Sequence, residues 1–354
     1  MAAASKTSVG NFFEDFGLGQ EFRHATPRTV TAGDVAVYQA LYGSRFAVQS
    51  SAPFARSLGF KDAPIDDLLV FHLVFGKTVP DVSLNAVANL GYADCRFTVP
   101  VYAGDTLAAR STVIGLRENS NRETGTVYVR STGTNQRGEV VLDFVRWVMV
   151  RKRDKASPAP EPTVPDLPEA VSAAVLVVPG GLDLTDYDAT IAGAPHLWND
   201  FQAGERIDHV DGMTIEDAEH MMATRLYQNT ARVHFDQHAA AAGRFGRRIV
   251  YGGHVMSLAR ALGSNGLANA FRIAAINGGR HVAPSFAGDT IYAWTEVLAA
   301  AELPDRSDVA ALRLRTIAAK DHPCADHPGR DGAGKYDPAV VLDLDYWAMM
   351  PRRR

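Results

Sequence analysis

The stretch QNTARVHFDQHAAAA, residues 228–242, carries side chains that could move a proton. His234 can take up and return a proton near neutral pH, since imidazole titrates close to that range. Asn229 cannot usefully accept a proton, but its amide can hold a water molecule through its acceptor and donate to another group. Arg232, two residues before the histidine, offers a cation to an anionic ligand. These residue types and their spacing indicate acid–base chemistry on a polar or charged ligand.

A second stretch, GGHVMSLARALGS at residues 252–264, is predicted to form a buried helix that begins at two glycines. The first N–H groups of a helix have no partner within it, and the helix dipole favours negative charge there. The backbone of Gly252 and Gly253 is therefore a candidate oxyanion hole. A simpler interpretation is that the glycines only allow close packing or a tight turn.

Both stretches belong to the second copy of an internal repeat. FFEDFGLGQEFRH (12–24) aligns with LWNDFQAGERIDH (197–209), which gives an offset of 185 residues (209 minus 24). RFTVPVYAGDTL (96–107) aligns with RHVAPSFAGDTI (280–291) at an offset of 184 (280 minus 96). Because the register holds within one residue over this distance, the chain is predicted to contain two similar halves.

The first copy lacks the residues that suggest chemistry in the second. In the stretch YGSRFAVQSSAPFAR (42–56), Gln49 stands in place of the histidine and Ser44 in place of the asparagine. Asp66 and Asp67 occur where the second copy has its glycines, which would bring negative charge near a forming oxyanion. We therefore expect the first half to have lost catalysis.

Each half is predicted to contain one buried helix and several strands. IDDLLVFHLVFGK (65–77) is apolar nearly all round, as a helix wrapped by a sheet would be. VLDFVRWVMVR (141–151) has β-branched and aromatic residues in partial alternation, which is typical of a strand. The predicted class is α+β with antiparallel sheets whose open edges pair with each other. The proline-rich, charged segment 152–194 is predicted to link a first domain (1–151) to a second (195–354).

Composition narrows the possible functions. The chain has 354 residues and a net charge of −4, so it offers no basic field for nucleic acid. No stretch approaches the ~18 continuous apolar residues that a membrane span requires, and a cytoplasmic location is expected. Cys95 and Cys324 lie far apart and lack metal-type spacing, so neither a disulfide framework nor a metal site is expected.

The histidine segment, the Gly-Gly helix start and the later RHVAPSFAGDTI together resemble the MaoC-like, or (R)-specific, enoyl-CoA hydratases. The resemblance implies a tandem (double) hotdog fold, in which two antiparallel sheets each wrap a central helix. His234 takes the place of the catalytic histidine of that family, and Ala240 takes the place of a small residue six positions later. Asn229 falls where that family has a catalytic aspartate. This departure leaves the usual carboxylate base missing.

The wider pattern, including NFFEDFGLGQ and TVTAGDVAVYQALYGSRF, is similar to members of the family that act on a branched C5-dicarboxylic enoyl-CoA. It implies reversible hydration of mesaconyl-CoA to β-methylmalyl-CoA by a hydro-lyase. The expected partner is the acyl-CoA substrate, with no cofactor beyond it, and the expected assembly is a homo-oligomer, with a dimer favoured. The second half would be catalytic, and the first would help to form the CoA-binding groove.

A substrate with a free carboxylate needs a cation, and Arg232 is the first candidate, with Arg225 or Arg45 as alternatives. Asp236 could pair with Arg232 or supply the missing carboxylate. The remaining predicted substrate contacts flank the two glycines and are Tyr251 and His254.

Three other functions are compatible with the sequence. The chain could be an (R)-specific hydratase for fatty enoyl-CoA, a hotdog acyl-CoA thioesterase, or a non-catalytic acyl-CoA-binding protein. The absent aspartate and the degenerate first half favour the last of these. Release of free thiol would identify a thioesterase, whereas acyl-CoA binding without turnover would identify a binding protein.

Overall fold

A single long antiparallel sheet dominates the computed structural model, which describes residues 6–353. The first half of the chain contributes β1 (Glu21–Thr29), β2 (Ala86–Phe97), β3 (Thr106–Glu118), β4 (Thr124–Thr134) and β5 (Val140–Arg151). The second half contributes β6 (Arg206–Asp208), β7 (Met213–Thr214), β8 (Arg272–His281), β9 (Thr290–Glu302), β10 (Val309–Lys320) and β11 (Val340–Pro351). The strand order is β1-β3-β4-β5-β2-β8-β11-β10-β9-β6, with β7 paired to β9.

The two halves join where β2 and β8 pair as antiparallel neighbours. Tyr92 lies opposite Gly279, and Arg96 lies opposite Ala275. On either side of this seam the strands follow the same order, because β3, β4 and β5 of the first half correspond to β9, β10 and β11 of the second. The predicted α+β class with antiparallel sheets is confirmed, and each half closes the open edge of the other.

The helices are distributed in the same way between the halves. Those of the first half are α1 (Ala32–Tyr42), α2 (Ala47–Ser50), α3 (Ala52–Ser57) and α4 (Asp67–Thr78). The crossover contains α5 (Ala189–Ala192), and the second half has α6 (Asp217–Leu226), α7 (Arg232–Phe235), α8 (Gln237–Ala241), α9 (Gly252–Leu262) and α10 (Ser264–Leu267). No helix in residues 6–353 is both long and apolar enough to cross a membrane.

The central helices α4 and α9 lie side by side in one hydrophobic core. Leu68 and Phe71 of α4 belong to the same apolar cluster as Val255 and Met256 of α9. Every residue of α4 after Asp67 is buried, which explains why its sequence is apolar nearly all round. The core is therefore continuous between the halves, and α9 cannot shift without moving its neighbour in the first half.

Equivalent residues of the repeat meet in the middle of this core. Tyr42 ends α1, and Tyr227, 185 residues later (227 minus 42), follows α6. Their hydroxyl oxygens are 2.6 Å apart. The Tyr42 hydroxyl also lies 2.8 Å from Nδ1 of His254 on α9. These buried bonds fix the relative position of the two halves beside α9.

The segment between the halves packs against the sheet. Val171 donates its N–H to the side-chain oxygen of Asn277 at 2.9 Å, and its carbonyl accepts from the Trp347 indole at 2.9 Å. Leu182 and Leu184 are buried in a cluster with the same tryptophan. The segment thus covers the part of the sheet near the seam. The proposed domain limits at 151 and 194 remain a sequence-based prediction.

Candidate active site

A cavity of about 260 Å³ lies between the two halves, at the N-terminal end of α9. Its wall combines α4, β2 and β5 of the first half with α7, the start of α9 and β8 of the second. Most lining side chains are apolar, and no Asp, Glu or Lys occurs among the described lining residues. The polar lining residues are Ser83, Asn89, Tyr92, Arg146, Asn229, His234, Tyr251, His281 and Ser285.

His234 lies in the short helix α7 and faces this cavity. Its Nδ1 is 2.9 Å from the carbonyl oxygen of Ile249, so Nδ1 must carry the hydrogen and donate it. This fixes the tautomer and leaves Nε2 as the nitrogen that can accept a proton. Burial lowers the pKa of His234 to about 4 and outweighs the bond to Ile249. The ring is therefore neutral at pH 7 and can act as a base.

Asn229 is buried and also lines the cavity. Its side-chain oxygen accepts the N–H of Ala231 at 3.1 Å, as in the turns that asparagine commonly forms. The group left for a ligand is chiefly the amide NH₂, which has no protein partner among residues 6–353. Asn229 therefore shapes its turn and also keeps an amide NH₂ available at the cavity wall.

The turn before Asn229 packs directly on the first half. A Cβ added to Gly76 of α4 would lie 1.8 Å from the carbonyl oxygen of Tyr227 and 3.4 Å from the Asn229 nitrogen. Only glycine therefore allows the backbone of this turn to approach α4 so closely. The first half positions a candidate catalytic residue of the second.

The start of α9 carries no side-chain cap, because Tyr251 occupies the N-cap position and makes no capping bond. Gly252 lines the cavity and, having no side chain, places the N-terminal end of α9 with its positive dipole at the cavity wall. Gly253 is buried and outside the cavity lining, with the rings of Tyr251 and His72 within 2.6 Å of the place where its Cβ would be. Of the two glycines, Gly252 thus lines the cavity and Gly253 does not.

Arg232 and Asp236 lie outside the cavity lining, so their predicted substrate contacts gain no support from the structure and stay predictions. Arg232 is exposed and outside the cavity lining, because residues two apart on a helix point in different directions and His234 faces inward. The two alternative cations, Arg225 and Arg45, are also exposed and outside it. Asp236 instead caps α8 by accepting the N–H of Ala239 at 3.0 Å, and it forms no ion pair with Arg232.

Of the two residues that flank the glycines, Tyr251 lines the cavity and His254 does not, and both predicted substrate contacts stay predictions. His254 comes two residues after Gly252 and therefore points into the core rather than the cavity. Burial lowers the pKa of His254 to about 3, so this ring stays neutral against Tyr42. Tyr251 is buried beside His234, with ring centroids 5.6 Å apart.

A second histidine of the cavity, His281, was not predicted. It ends β8, and its Nε2 lies 3.0 Å from the hydroxyl of Tyr92. Burial, with a smaller contribution from His234, lowers the pKa of His281 to about 4. Comparison of the two copies of the repeat identifies it, because the first copy has Phe97 at the equivalent position (281 minus 184). His234 differs between the copies in the same way, since Gln49 is its equivalent in the first copy.

Arg146 is the other residue that the sequence left unassigned. It lies on β5 of the first half, is completely buried and lines the cavity. Within residues 6–353 there is no group of three or more His, Cys, Asp or Glu residues that could hold a metal ion. Among the described lining residues, Arg146 is the permanent cation, and it shares the apolar wall with two neutral histidines and the N-terminus of α9.

Known structures place this fold in the class of double-hotdog dehydratases. The chain is similar to a MaoC domain protein dehydratase from Chloroflexus aurantiacus, with 65% identity, a TM-score of 0.97 and coverage of 99% of this chain and 100% of that one. A Mycobacterium tuberculosis protein described as having a double hotdog fold matches with 26% identity and a TM-score of 0.76, over 97% of this chain and 99% of that one. The predicted double hotdog fold is confirmed.

The model of one particular family, mesaconyl-CoA hydratase, matches residues 2–333, and the chain belongs to that family. It is 65% identical to the β-methylmalyl-CoA dehydratase of Chloroflexus aurantiacus over 350 residues, which are 99% of each chain. It is 60% identical to the mesaconyl-CoA hydratase of Cereibacter sphaeroides over 347 residues, which are 98% of this chain and 100% of the other.

Proposed function

We propose that this protein is a hydro-lyase that reversibly adds water to mesaconyl-CoA and gives β-methylmalyl-CoA. Family membership supports this substrate. One observation carries the chemistry: His234 has Nδ1 held by a backbone carbonyl and Nε2 free, in the cavity that also exposes the start of α9. One such site per chain is proposed, in the second half, with part of its wall supplied by the first.

The reaction needs a base for water, a proton for the α-carbon and donors for the thioester oxygen. Nε2 of His234 removes a proton from water as the water oxygen bonds to the β-carbon. The electron pair of the double bond moves through the α-carbon toward the thioester oxygen, where the Gly252 N–H and the helix dipole stabilise negative charge. The carbonyl then re-forms as the α-carbon takes a proton, which the His234 imidazolium can return.

The other polar groups of the wall have supporting roles in this proposal. Asn229 directs its amide NH₂ toward the water or the substrate, since its oxygen already accepts from Ala231. His281 lies close to both His234 and Gly252, and orients the reacting groups or relays the proton. Water and the side chains named above supply every proton and bond in this addition, so no cofactor is proposed beyond the CoA that is part of the substrate. A cytoplasmic, dimeric enzyme remains part of the proposal.

The test is the loss of enoyl-thioester absorbance with mesaconyl-CoA, followed for the wild type and for His234→Gln. Removing a general base should lower kcat by about 10²- to 10⁴-fold. His238→Gln is a matched control, since His238 lies four residues later, is exposed and is outside the cavity lining. It should keep the wild-type rate.

Other outcomes would identify a different function. A full rate in His234→Gln would contradict the acid–base role. Release of free thiol by the wild type would indicate a thioesterase, and tight acyl-CoA binding without turnover would indicate a binding protein. Asn229→Asp supplies the carboxylate found in related hydratases, and a gain on crotonyl-CoA would show that the asparagine restricts the substrate range.

A further inference from the structure

Arg146 is a fully buried cation without an acidic partner. Its side chain is 0% exposed. The guanidinium donates to the hydroxyl of Thr78 at 2.6 Å and to that of Ser83 at 3.3 Å. Its Nε has no hydrogen-bond partner, and no carboxylate in the described part of the chain forms an ion pair with it. The protein therefore leaves this charge uncompensated.

Such a residue is unusual because burying a charge is unfavourable unless an opposite charge offsets it. The buried Arg272 on β8, for comparison, lies 3.9 Å from a carboxylate oxygen of Asp67. Burial lowers the pKa of Arg146 to about 10, so its side chain is still charged at neutral pH. The Phe75 ring, 4.2 Å from the guanidinium carbon, makes a cation–π contact but carries no opposite charge.

The uncompensated charge lies next to the proposed catalytic groups. Tyr92 and Tyr251 are close enough to influence the guanidinium electrostatically. The Tyr92 hydroxyl is 3.0 Å from Nε2 of His281, and the Tyr251 ring contacts that of His234. One aromatic residue thus separates Arg146 from each histidine. A small ligand in the 260 Å³ cavity can reach both the cation and the histidines.

We propose that Arg146 binds the free carboxylate of the substrate and makes the enzyme selective for dicarboxylic mono-thioesters. The planar guanidinium can hold a carboxylate through two parallel hydrogen bonds, and among the described lining residues it is the permanent cation. Asn89, which also lines the cavity and whose side-chain amide is buried without a partner, can add a donor. This inference rests on the proposed function, because it assigns the part of that substrate which plain enoyl-CoA lacks.

The internal repeat supports a division of roles between the halves. VLDFVRWVM and VLDLDYWAM align at an offset of 200 residues, so Arg146 corresponds to Tyr346 (346 minus 146). The first half keeps the cation where the second has a phenol, whereas the second keeps the histidines where the first has Gln49 and Phe97. The first half thereby contributes substrate recognition to a site whose acid–base groups belong to the second.

The experiment compares Arg146→Met with the wild type in two measurements. Binding of succinyl-CoA and butyryl-CoA by calorimetry tests carboxylate recognition without turnover, and kcat/KM for mesaconyl-CoA and crotonyl-CoA tests it in catalysis. The wild type should prefer succinyl-CoA. The variant should lose that preference, with a fall of about 100-fold or more for the dicarboxylic thioesters and less than about 3-fold for the others. Arg151→Met, an exposed change on the same strand, should keep the wild-type preference.

Each alternative result has a distinct meaning. Equal binding of succinyl-CoA and butyryl-CoA by the wild type, or an unchanged preference in Arg146→Met, would overturn the inference. A wild type that binds succinyl-CoA preferentially but does not hydrate mesaconyl-CoA would contradict the proposed function alone. Melting should show Arg146→Met at least as stable as the wild type, because an uncompensated buried charge is removed. If that variant fails to fold, Arg146→Lys should retain a weaker preference, since it keeps the charge without the paired donors.

Discussion

Replacing Gly252 with alanine should disable the site by displacing His281. A Cβ at position 252 would lie 2.4 Å from both Cε1 and Nδ1 of the His281 ring. Ordinary contacts of this kind are 3.4 Å or longer, so the ring has to move by about 1 Å (3.4 minus 2.4). Its Nε2 is held 3.0 Å from the Tyr92 hydroxyl on the other side, and a shift of that size breaks the bond.

The size of the effect follows from this displacement. Misplacing a catalytic group by about 1 Å can lower a rate by about 100-fold, so kcat for mesaconyl-CoA hydration should fall by about that factor. Stability should change little, since alanine favours a helix over glycine by up to ~1 kcal/mol and offsets part of the strain at His281. A circular dichroism melt therefore separates loss of the site from loss of the fold.

The assay uses Gly252→Ala, His281→Ala and the double variant, with Gly332→Ala as a control where no atom lies within 4 Å of the added Cβ. If the methyl acts through the ring, removing the ring removes the clash, and the double variant should match His281→Ala within about 2-fold. A full rate in Gly252→Ala would refute the steric argument. A double variant about 100-fold slower than His281→Ala would assign the loss to the Gly252 N–H instead.

Two further predictions concern ionisation and the junction of the halves. Burial lowers the pKa of His234 to about 4, so the base stays deprotonated in mild acid and kcat/KM should fall only below about pH 5. A pH profile in which kcat/KM already falls near pH 6.5 would contradict this. Tyr42→Phe removes the hydroxyl that meets Tyr227 and His254, and should lower the free energy of unfolding by about 1–3 kcal/mol in urea titrations. Tyr128→Phe, whose hydroxyl makes no hydrogen bond within residues 6–353, should have a smaller effect.

The fold and part of the candidate site follow from local sequence patterns. The repeat predicts two similar halves. The histidine segment and the Gly-Gly helix start indicate His234, Asn229 and Gly252, all of which line the cavity. Side-chain direction is harder to predict from sequence. Arg232 and His254 each lie two positions from a residue of the cavity lining, and a helix turns positions two apart away from each other.

His281 and Arg146 were missed for different reasons. His281 carries the same asymmetry between copies as His234, and comparing RFTVP with RHVAP position by position would have identified it. On β5, alternation places Arg146 on the same face as Phe144 and Val148, so a charge on a core-facing strand position was visible. What that charge faces could not be predicted, because the cavity forms only when the two halves pair.

The same comparison explains why the first half has no working counterpart of this cavity. The positions equivalent to His234 and Gly252 are Gln49 and Asp67, which line a space of about 10 Å³, compared with 260 Å³ in the cavity beside His234. The Gln49 amide donates to the carbonyl of Phe271 at 2.6 Å, and Asp67 accepts the N–H of Ile273 at 2.9 Å. The expected negative charge of Asp67 thus does not face a forming oxyanion, because this carboxyl binds the start of β8. Because these side chains bond to the other half, a histidine at position 49 alone would face no space for a substrate. The positions equivalent to His234 and Gly252 thus help to hold the halves together in the first copy, whereas His234 and Gly252 themselves line the cavity.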